Sequence, residues 1–373
     1  MGDLTRSSCD FVSLATQGAR GLHPYQPGKP SDELERELGI SNIVKLASNE
    51  NPLGPSPIAL EEIRNELSQL TRYPDGNGFK LKEALASRLK VQSSQLTLGN
   101  GSNDILDLIA RAYAELGREV VFSQYAFAVY PIATQAVNAT AVVTPALNWG
   151  HDLSAMLSAI TDRTSLIFIA NPNNPTGTVL SKAEVVEFLS QVPESVIVVL
   201  DEAYIEYSTD PDFPNGVSLL SDFPNLIVTR TFSKAWGLAS LRVGYAISNE
   251  EIADVLNRVR HPFNVNSLAL AAALGSLRDE DYLKKSITTN EHGMKQLTDA
   301  FDRLDYEYIP SKGNFVCFDT KGSGMEVYEA MLQQGVIVRP VANYGMPNHL
   351  RVSIGLPEEN ARFIEVLESL SHG

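Results

Sequence analysis

The sequence predicts an α/β protein in which a mostly parallel sheet lies between helices, with a smaller α+β unit after it. Three observations predict it. Apolar runs at residues 119–122, 141–143, 165–170, 196–200 and 226–229 are dominated by Val, Ile, Leu and Phe, as strands buried on both faces are. Helical patterns are interspersed with these runs. Polar clusters stand just after strands, at Asn171-Pro172-Asn173-Asn174-Pro175-Thr176-Gly177, Asp201-Glu202-Ala203-Tyr204 and Thr231-Phe232-Ser233-Lys234. Open α/β sheets bind ligands at the carboxyl ends of their strands.

A chain of 373 residues exceeds what one hydrophobic core usually supports, so two domains are expected. Residues 1–45 read as an irregular arm that also supplies part of the small domain, because His23-Pro24-Tyr25-Gln26-Pro27-Gly28 cannot continue a helix. A short helix fits 31–38. Residues 46–260 read as a large ligand-binding domain. Helices fit 57–69, 80–89 and 181–189, and Ser102 is placed to cap a helix through about residue 115, whose apolar residues Ile105, Leu108, Ile109 and Ala112 recur at helical spacing. A further strand fits 241–247. Residues 261–373 read as the small domain, with helices at 267–277, 282–304, 326–334 and 358–370 and strands at 313–318, 336–339 and 350–354.

Composition narrows the function. Hydrophobic content of 43% and charged content of 20% are ordinary for a globular protein. The net charge of −15 opposes nucleic acid, whose phosphates an acidic surface repels. No apolar run is long enough to span a membrane, and the start of the chain shows no secretory signal. Cys9 and Cys317 form neither a disulfide framework nor a metal-ligand pattern. These points fit a cytoplasmic protein without a metal.

The polar clusters carry the chemistry. Asp201 ends an apolar run, and a carboxylate there needs a cationic partner. Lys234, among small hydroxylated residues, is a candidate nucleophile toward a carbonyl cofactor once burial or nearby positive charge keeps its amine neutral. A carboxylate held against a protonated pyridine nitrogen, with a lysine on the aldehyde, is what pyridoxal phosphate needs. Tyr204 and Asn174 are positioned after strands to donate to the ring oxygen of such a cofactor. Gly99-Asn100-Gly101-Ser102-Asn103-Asp104 precedes a helix, and amides at a helix start bind phosphate. Ser102, Asn103, Ser233 and Arg242 are the candidate phosphate ligands. Tyr125 or Phe127 could stack on a flat ring. Arg351, alternating with apolar residues, and Arg339 are candidates for an anionic substrate group.

Taken together, these motifs resemble the fold-type I pyridoxal phosphate aminotransferases. Asn49-Glu50-Asn51-Pro52 and Arg72-Tyr73-Pro74-Asp75 narrow the similarity to the branch that works on histidinol phosphate. The resemblance implies a large domain with a mostly parallel seven-stranded sheet. It implies that Lys234 carries pyridoxal 5'-phosphate as a Schiff base, that Asp201 binds the ring nitrogen, and that Asn174 and Tyr204 hold the ring oxygen. Ser102, Asn103, Ser233 and Arg242 would bind the phosphate, and Tyr125 would stack on the ring. Tyr73 would reach the cofactor phosphate of a partner subunit, making a homodimer with shared sites. Arg351 and Arg339, with Asn49 and Tyr25, would hold the substrate. The implied reaction is reversible transamination of histidinol phosphate with 2-oxoglutarate in histidine biosynthesis. The alternative on the same scaffold is an aromatic-amino-acid aminotransferase acting on phenylalanine or tyrosine. The phosphate loop reads Ser102-Asn103 where this branch often has Ala-Asp or Ser-Asp.

Overall fold

The structure, a computed structural model, describes residues 10–24 and 28–371. Its centre is a seven-stranded sheet made of β1 (Leu96–Gly99), β2 (Glu119–Ser123), β3 (Thr140–Thr144), β4 (Thr164–Ala170), β5 (Ile197–Asp201), β6 (Leu226–Thr231) and β7 (Gly244–Ile247). The strand order is β1-β7-β6-β5-β4-β2-β3. Only β7 runs against the others, being antiparallel to both β1 and β6. The sequence reading found six of these strands and missed β1. Four residues, Leu-Thr-Leu-Gly, are too short to show a pattern.

Alternation along the strands makes two apolar layers. Val121, Ile167, Ile169, Val198, Leu200 and Val228 pack on one side with Phe188, Ala269 and Ala273. Val120, Phe122, Leu166, Phe168 and Val199 pack on the other with Ile105, Ile109, Tyr130 and Leu256. Two of the covering helices, Val129–Ala136 and Glu250–Val259, were not legible as such in the sequence. Helix Ser267–Ser276 packs against Pro57–Glu66 in the first layer, so the large core extends past residue 260.

A four-stranded antiparallel sheet follows: β8 (Tyr308–Ile309), β9 (Phe315–Asp319), β10 (Arg339–Pro340) and β11 (His349–Ser353), in the order β8-β9-β11-β10. The single strand expected over 336–339 is divided. Val336–Ile337 pairs in parallel with Val44–Lys45, while Arg339–Pro340 pairs with β11. Residues just before the large sheet are thereby stitched, in a separate two-stranded pairing, to the segment that leads into β10, and Leu46 joins the core of the second sheet with Phe301, Val352 and Phe363. Among the described residues no helix is long and apolar enough to cross a membrane.

Candidate active site

Parallel register sets the site. Asp201 at the end of β5 lies level with Ala170 of β4 and Thr229 of β6. Gly244, opening β7, lies opposite both Thr231 and Gly99. Side chains just beyond these ends meet in a cavity of about 180 Å³. Among the residues singled out from sequence, it is lined by Ser102, Asn103, Asn174, Asp201, Tyr204, Ser233, Lys234, Arg242, Arg339 and Arg351 as well as Phe127. Tyr344 completes the parts of the wall used below.

Asp201 is buried. Tyr130 Oη donates to its Oδ2 at 2.9 Å, and Thr229 Oγ1 donates to its Oδ1 at 2.9 Å. Burial pushes the carboxyl up to about 6, and these two hydrogen bonds oppose the rise. A cationic donor arriving from the cavity would restore the ionised form.

Lys234 shows the opposite response to burial, which pushes its amine down to about 8. Arg351 and Arg242 push the same way, while Glu50 and Asp201 oppose them. Its Nζ donates to the Ser48 carbonyl at 3.2 Å and stands 5.6 Å from the centre of the Tyr204 ring. The neutral amine is the form able to attack an aldehyde, and the lowered value makes that form far more accessible than in an ordinary lysine.

Tyr204 Oη accepts from Asn49 Nδ2 at 2.9 Å and from Asn174 Nδ2 at 3.2 Å. With both lone pairs taken, its own proton is free to point elsewhere. Burial raises the phenol to about 12, so it remains a donor.

The other end of the cavity suits an anion. Helix Ser102–Tyr113 starts from Gly101, at φ +87°, with no side chain capping its first amides. A Cβ on Gly101 would run into the Arg242 guanidinium. Arg242 Nη1 also donates to Ser233 Oγ at 3.3 Å and to the Ala239 carbonyl at 2.9 Å. Arg242 itself takes φ +56°, a costly conformation for a side-chain-bearing residue that places its head beside the loop.

Arg351 and Arg339 are directly opposed on β11 and β10. Arg351 donates from Nη1 to Asn174 Oδ1 at 2.5 Å and from Nη2 to the Ala47 carbonyl at 2.8 Å. Its Nε is buried with no protein partner, and an acceptor brought by a ligand would satisfy it.

Several of the candidates do not line the cavity within the single chain. Of the two aromatic candidates, Phe127 lines the cavity, while the Tyr125 ring packs on Trp149 at 5.3 Å and on the cluster of Ile309, Cys317 and Val341. The Asn49 side chain does not line the cavity; its amide is used by Tyr204 and its oxygen accepts from Ser353 Oγ at 3.0 Å. Tyr73 lies on the surface, stacked on Phe263 at 4.8 Å. Tyr25 lies outside the described residues. The structure adds Tyr130 and Tyr344. Tyr130 stands three residues after Phe127, and the run of aromatics at 125, 127 and 130 was the one signal for it. Among the described residues no cluster of three or more His, Cys, Asp or Glu side chains could hold a metal.

The sheet order and the lysine facing a buried carboxylate at the strand ends define a fold-type I aminotransferase. The chain belongs to the aminotransferase class I and II family, whose model matches residues 41–367. It is 63% identical to histidinol-phosphate aminotransferase 2 of Pseudomonas fluorescens, over 96% of this chain and 98% of that protein. Histidinol-phosphate aminotransferase 2 of Pseudomonas aeruginosa is 62% identical over 96% and 98% of the two chains. Among solved structures, the histidinol-phosphate aminotransferase of Sinorhizobium meliloti in complex with pyridoxal-5'-phosphate superposes with a TM-score of 0.88 at 29% identity, covering 96% of this chain and 98% of that one.

Proposed function

We propose that the protein transaminates histidinol phosphate with 2-oxoglutarate, reversibly, giving imidazole-acetol phosphate and glutamate in histidine biosynthesis. The observation that carries the reading is one cavity holding a lysine whose amine burial has pushed down to about 8, a buried carboxylate, an uncapped helix start and two opposed arginines. The shared name of relatives more than 60% identical over nearly the whole chain supports the substrate.

The donor set fits pyridoxal 5'-phosphate. Asp201 suits the ring nitrogen, Asn174 and Tyr204 the ring oxygen, and Phe127, in place of Tyr125, the ring face. Ser102, Asn103, Ser233 and Arg242 suit the phosphate. When bound, this cofactor supplies a positive ring that draws electrons from the substrate's amine-bearing carbon. Lys234 Nζ would hold the cofactor through its aldehyde group and, once released, would be the base that moves a proton from the substrate's amine-bearing carbon. Tyr204 Oη would donate its proton to the ring oxygen, and Asp201 would set its charge against the ring nitrogen. Arg351, with Arg339, receives the phosphate of one substrate and the carboxylate of the other, both of which suit a guanidinium fork. Asn49 acts through Tyr204.

The reading includes a cytoplasmic homodimer in which the large cofactor domain takes in helix Ser267–Ser276 past residue 260, and the remaining carboxyl-terminal part, with part of the arm, forms the small domain. Tyr73 of the partner subunit would reach the cofactor phosphate. The test is turnover by purified protein with 2-oxoglutarate. Histidinol phosphate is expected to exceed phenylalanine in kcat/KM by about tenfold or more, the worth of one charge-assisted contact to the phosphate. A preference for phenylalanine would overturn the substrate assignment in favour of an aromatic aminotransferase.

A further inference from the structure

Tyr130 sits one layer behind the cavity, on helix Val129–Ala136, and is fully buried. Its ring is stacked on Phe168, with centroids 4.6 Å apart and planes 7° from parallel, and Phe127 meets its edge at 5.9 Å. Everything about the ring is satisfied by apolar packing, and phenylalanine would fill the same space. The hydroxyl is different. Burying it without a partner costs about 1–3 kcal/mol, and its partner is the Asp201 carboxylate, at 2.9 Å.

A carboxylate offers about four acceptor sites. At Asp201 each oxygen accepts one hydrogen bond from the protein side, Oδ2 from Tyr130 Oη and Oδ1 from Thr229 Oγ1. That leaves acceptor capacity for a donor from the cavity. The titratable groups bearing on this pair are Glu202, Tyr204, Tyr344 and Lys234. The two hydroxyls that donate to Asp201 are neutral, so the carboxylate's charge is left for a cation in the cavity.

We propose that Tyr130 is a positioning residue for the cofactor's ring nitrogen, its hydroxyl fixing Asp201 so that the remaining acceptor capacity and the negative charge face the pyridinium. The proposal rests on the assignment of Asp201 to the ring nitrogen made above. It differs from a packing role in a measurable way, because the effect of the hydroxyl must pass through that nitrogen.

The experiment compares Tyr130→Phe with the parent protein, each freed of cofactor and titrated with pyridoxal 5'-phosphate and with its 1-deaza analogue, in which a C–H replaces the ring nitrogen. The parent is expected to bind the natural ring more tightly than the analogue. In Tyr130→Phe, affinity for pyridoxal 5'-phosphate is expected to fall about tenfold to a hundredfold, the range for a lost hydrogen bond to a charged group. Affinity for the analogue should hold within about twofold, so the preference for the natural ring narrows. Equal losses for both ligands would mean that Tyr130 only packs, and would overturn the proposal. If the parent itself does not distinguish the two ligands, the assignment of Asp201 fails instead. Thr229→Val, which removes the donor on the other carboxylate oxygen, provides a second variant; it should narrow the preference in the same sense.

Discussion

Arg351 holds together several threads at the level of single residues. It bonds Asn174 and the Ala47 carbonyl, lies 5.3 Å from the centre of the Phe315 ring, and is the strongest charged neighbour depressing the Lys234 amine. In the proposed function, one guanidinium would thus both prepare the nucleophile and receive the substrate. Lys234, pushed down to about 8, is protonated below that pH and neutral above it. Uptake of pyridoxal phosphate by the cofactor-free protein should therefore quicken as pH rises through about 8. In Arg351→Gln one depressing charge is gone, so the amine titrates higher and the rise moves to higher pH. The same variant should lose about tenfold to a hundredfold in kcat/KM for histidinol phosphate, through the lost charge-assisted contact. Arg351→Lys separates the two effects: the charge returns the pH midpoint toward that of the parent, but an ammonium cannot replace the fork, so the substrate KM stays high. Stopped-flow absorbance against pH, with steady-state kinetics, reads both. An unchanged midpoint in Arg351→Gln would remove the link between the two sites.

Elements explain how the loops bearing this chemistry are held. β5 delivers Asp201 and β6 leads to Lys234, and behind the cavity a buried ion pair crosses between them. Arg230 Nε and Nη2 donate to Glu202 Oε2 at 2.9 and 2.7 Å, and Glu202 Oε1 accepts from the Gly216 amide at 2.6 Å. Breaking such a pair from one side strands a charge in the interior, at about 3–5 kcal/mol. Arg230→Leu should lose stability of that order in urea unfolding at pH 7. Burial already raises the Glu202 carboxyl and Arg230 lowers it; without the arginine, Glu202 takes up a proton at higher pH in the fold than in the unfolded chain. The folded variant is then relieved by acid, and its deficit should shrink as pH falls from 7 toward 5. A deficit that does not change with pH would show that the charge is not its source. This pair was invisible in the sequence, although Asp201 beside it was prominent. Asp201, Lys234 and Asn174 were legible because each follows a strand directly, so local order fixes their direction. Tyr130 and the Glu202–Arg230 pair depend on which helix covers the sheet and which strands are neighbours, which only long-range register decides. The same reason hid β1 at the sheet edge. It also put Phe127 rather than Tyr125 in the cavity wall, because two residues along one turn separate that wall from the contact with Trp149.

At the scale of the whole molecule, the surface carries apolar groups that a single chain leaves in water. Tyr73 is 82% exposed and Phe79 65% exposed, and Leu67, Leu70 and Phe263 are also open. Asp75 ties the Tyr73 loop to the helix carrying Phe79, its carboxylate accepting from the amides of Asn77 at 3.0 Å and Phe79 at 2.7 Å. The loop is thus held firmly with its aromatic ring outward, against the tendency of a large ring to be covered. A second copy of the chain, as in the proposed homodimer, would cover these rings and give Tyr73 a function. Phe79→Asp should then shift the mass measured by light scattering from dimer toward monomer, and lower specific activity at dilute protein. Activity should return as protein concentration rises, because mass action restores the pair. Tyr73→Phe should behave differently, keeping the ring and the dimer while weakening cofactor binding by about tenfold through the lost hydroxyl contact to phosphate. A Phe79→Asp protein that stays dimeric and fully active when dilute would place the interface elsewhere. A Tyr73→Phe protein with unchanged cofactor affinity would leave each site complete within one subunit, and the exposed ring would then serve packing between chains alone.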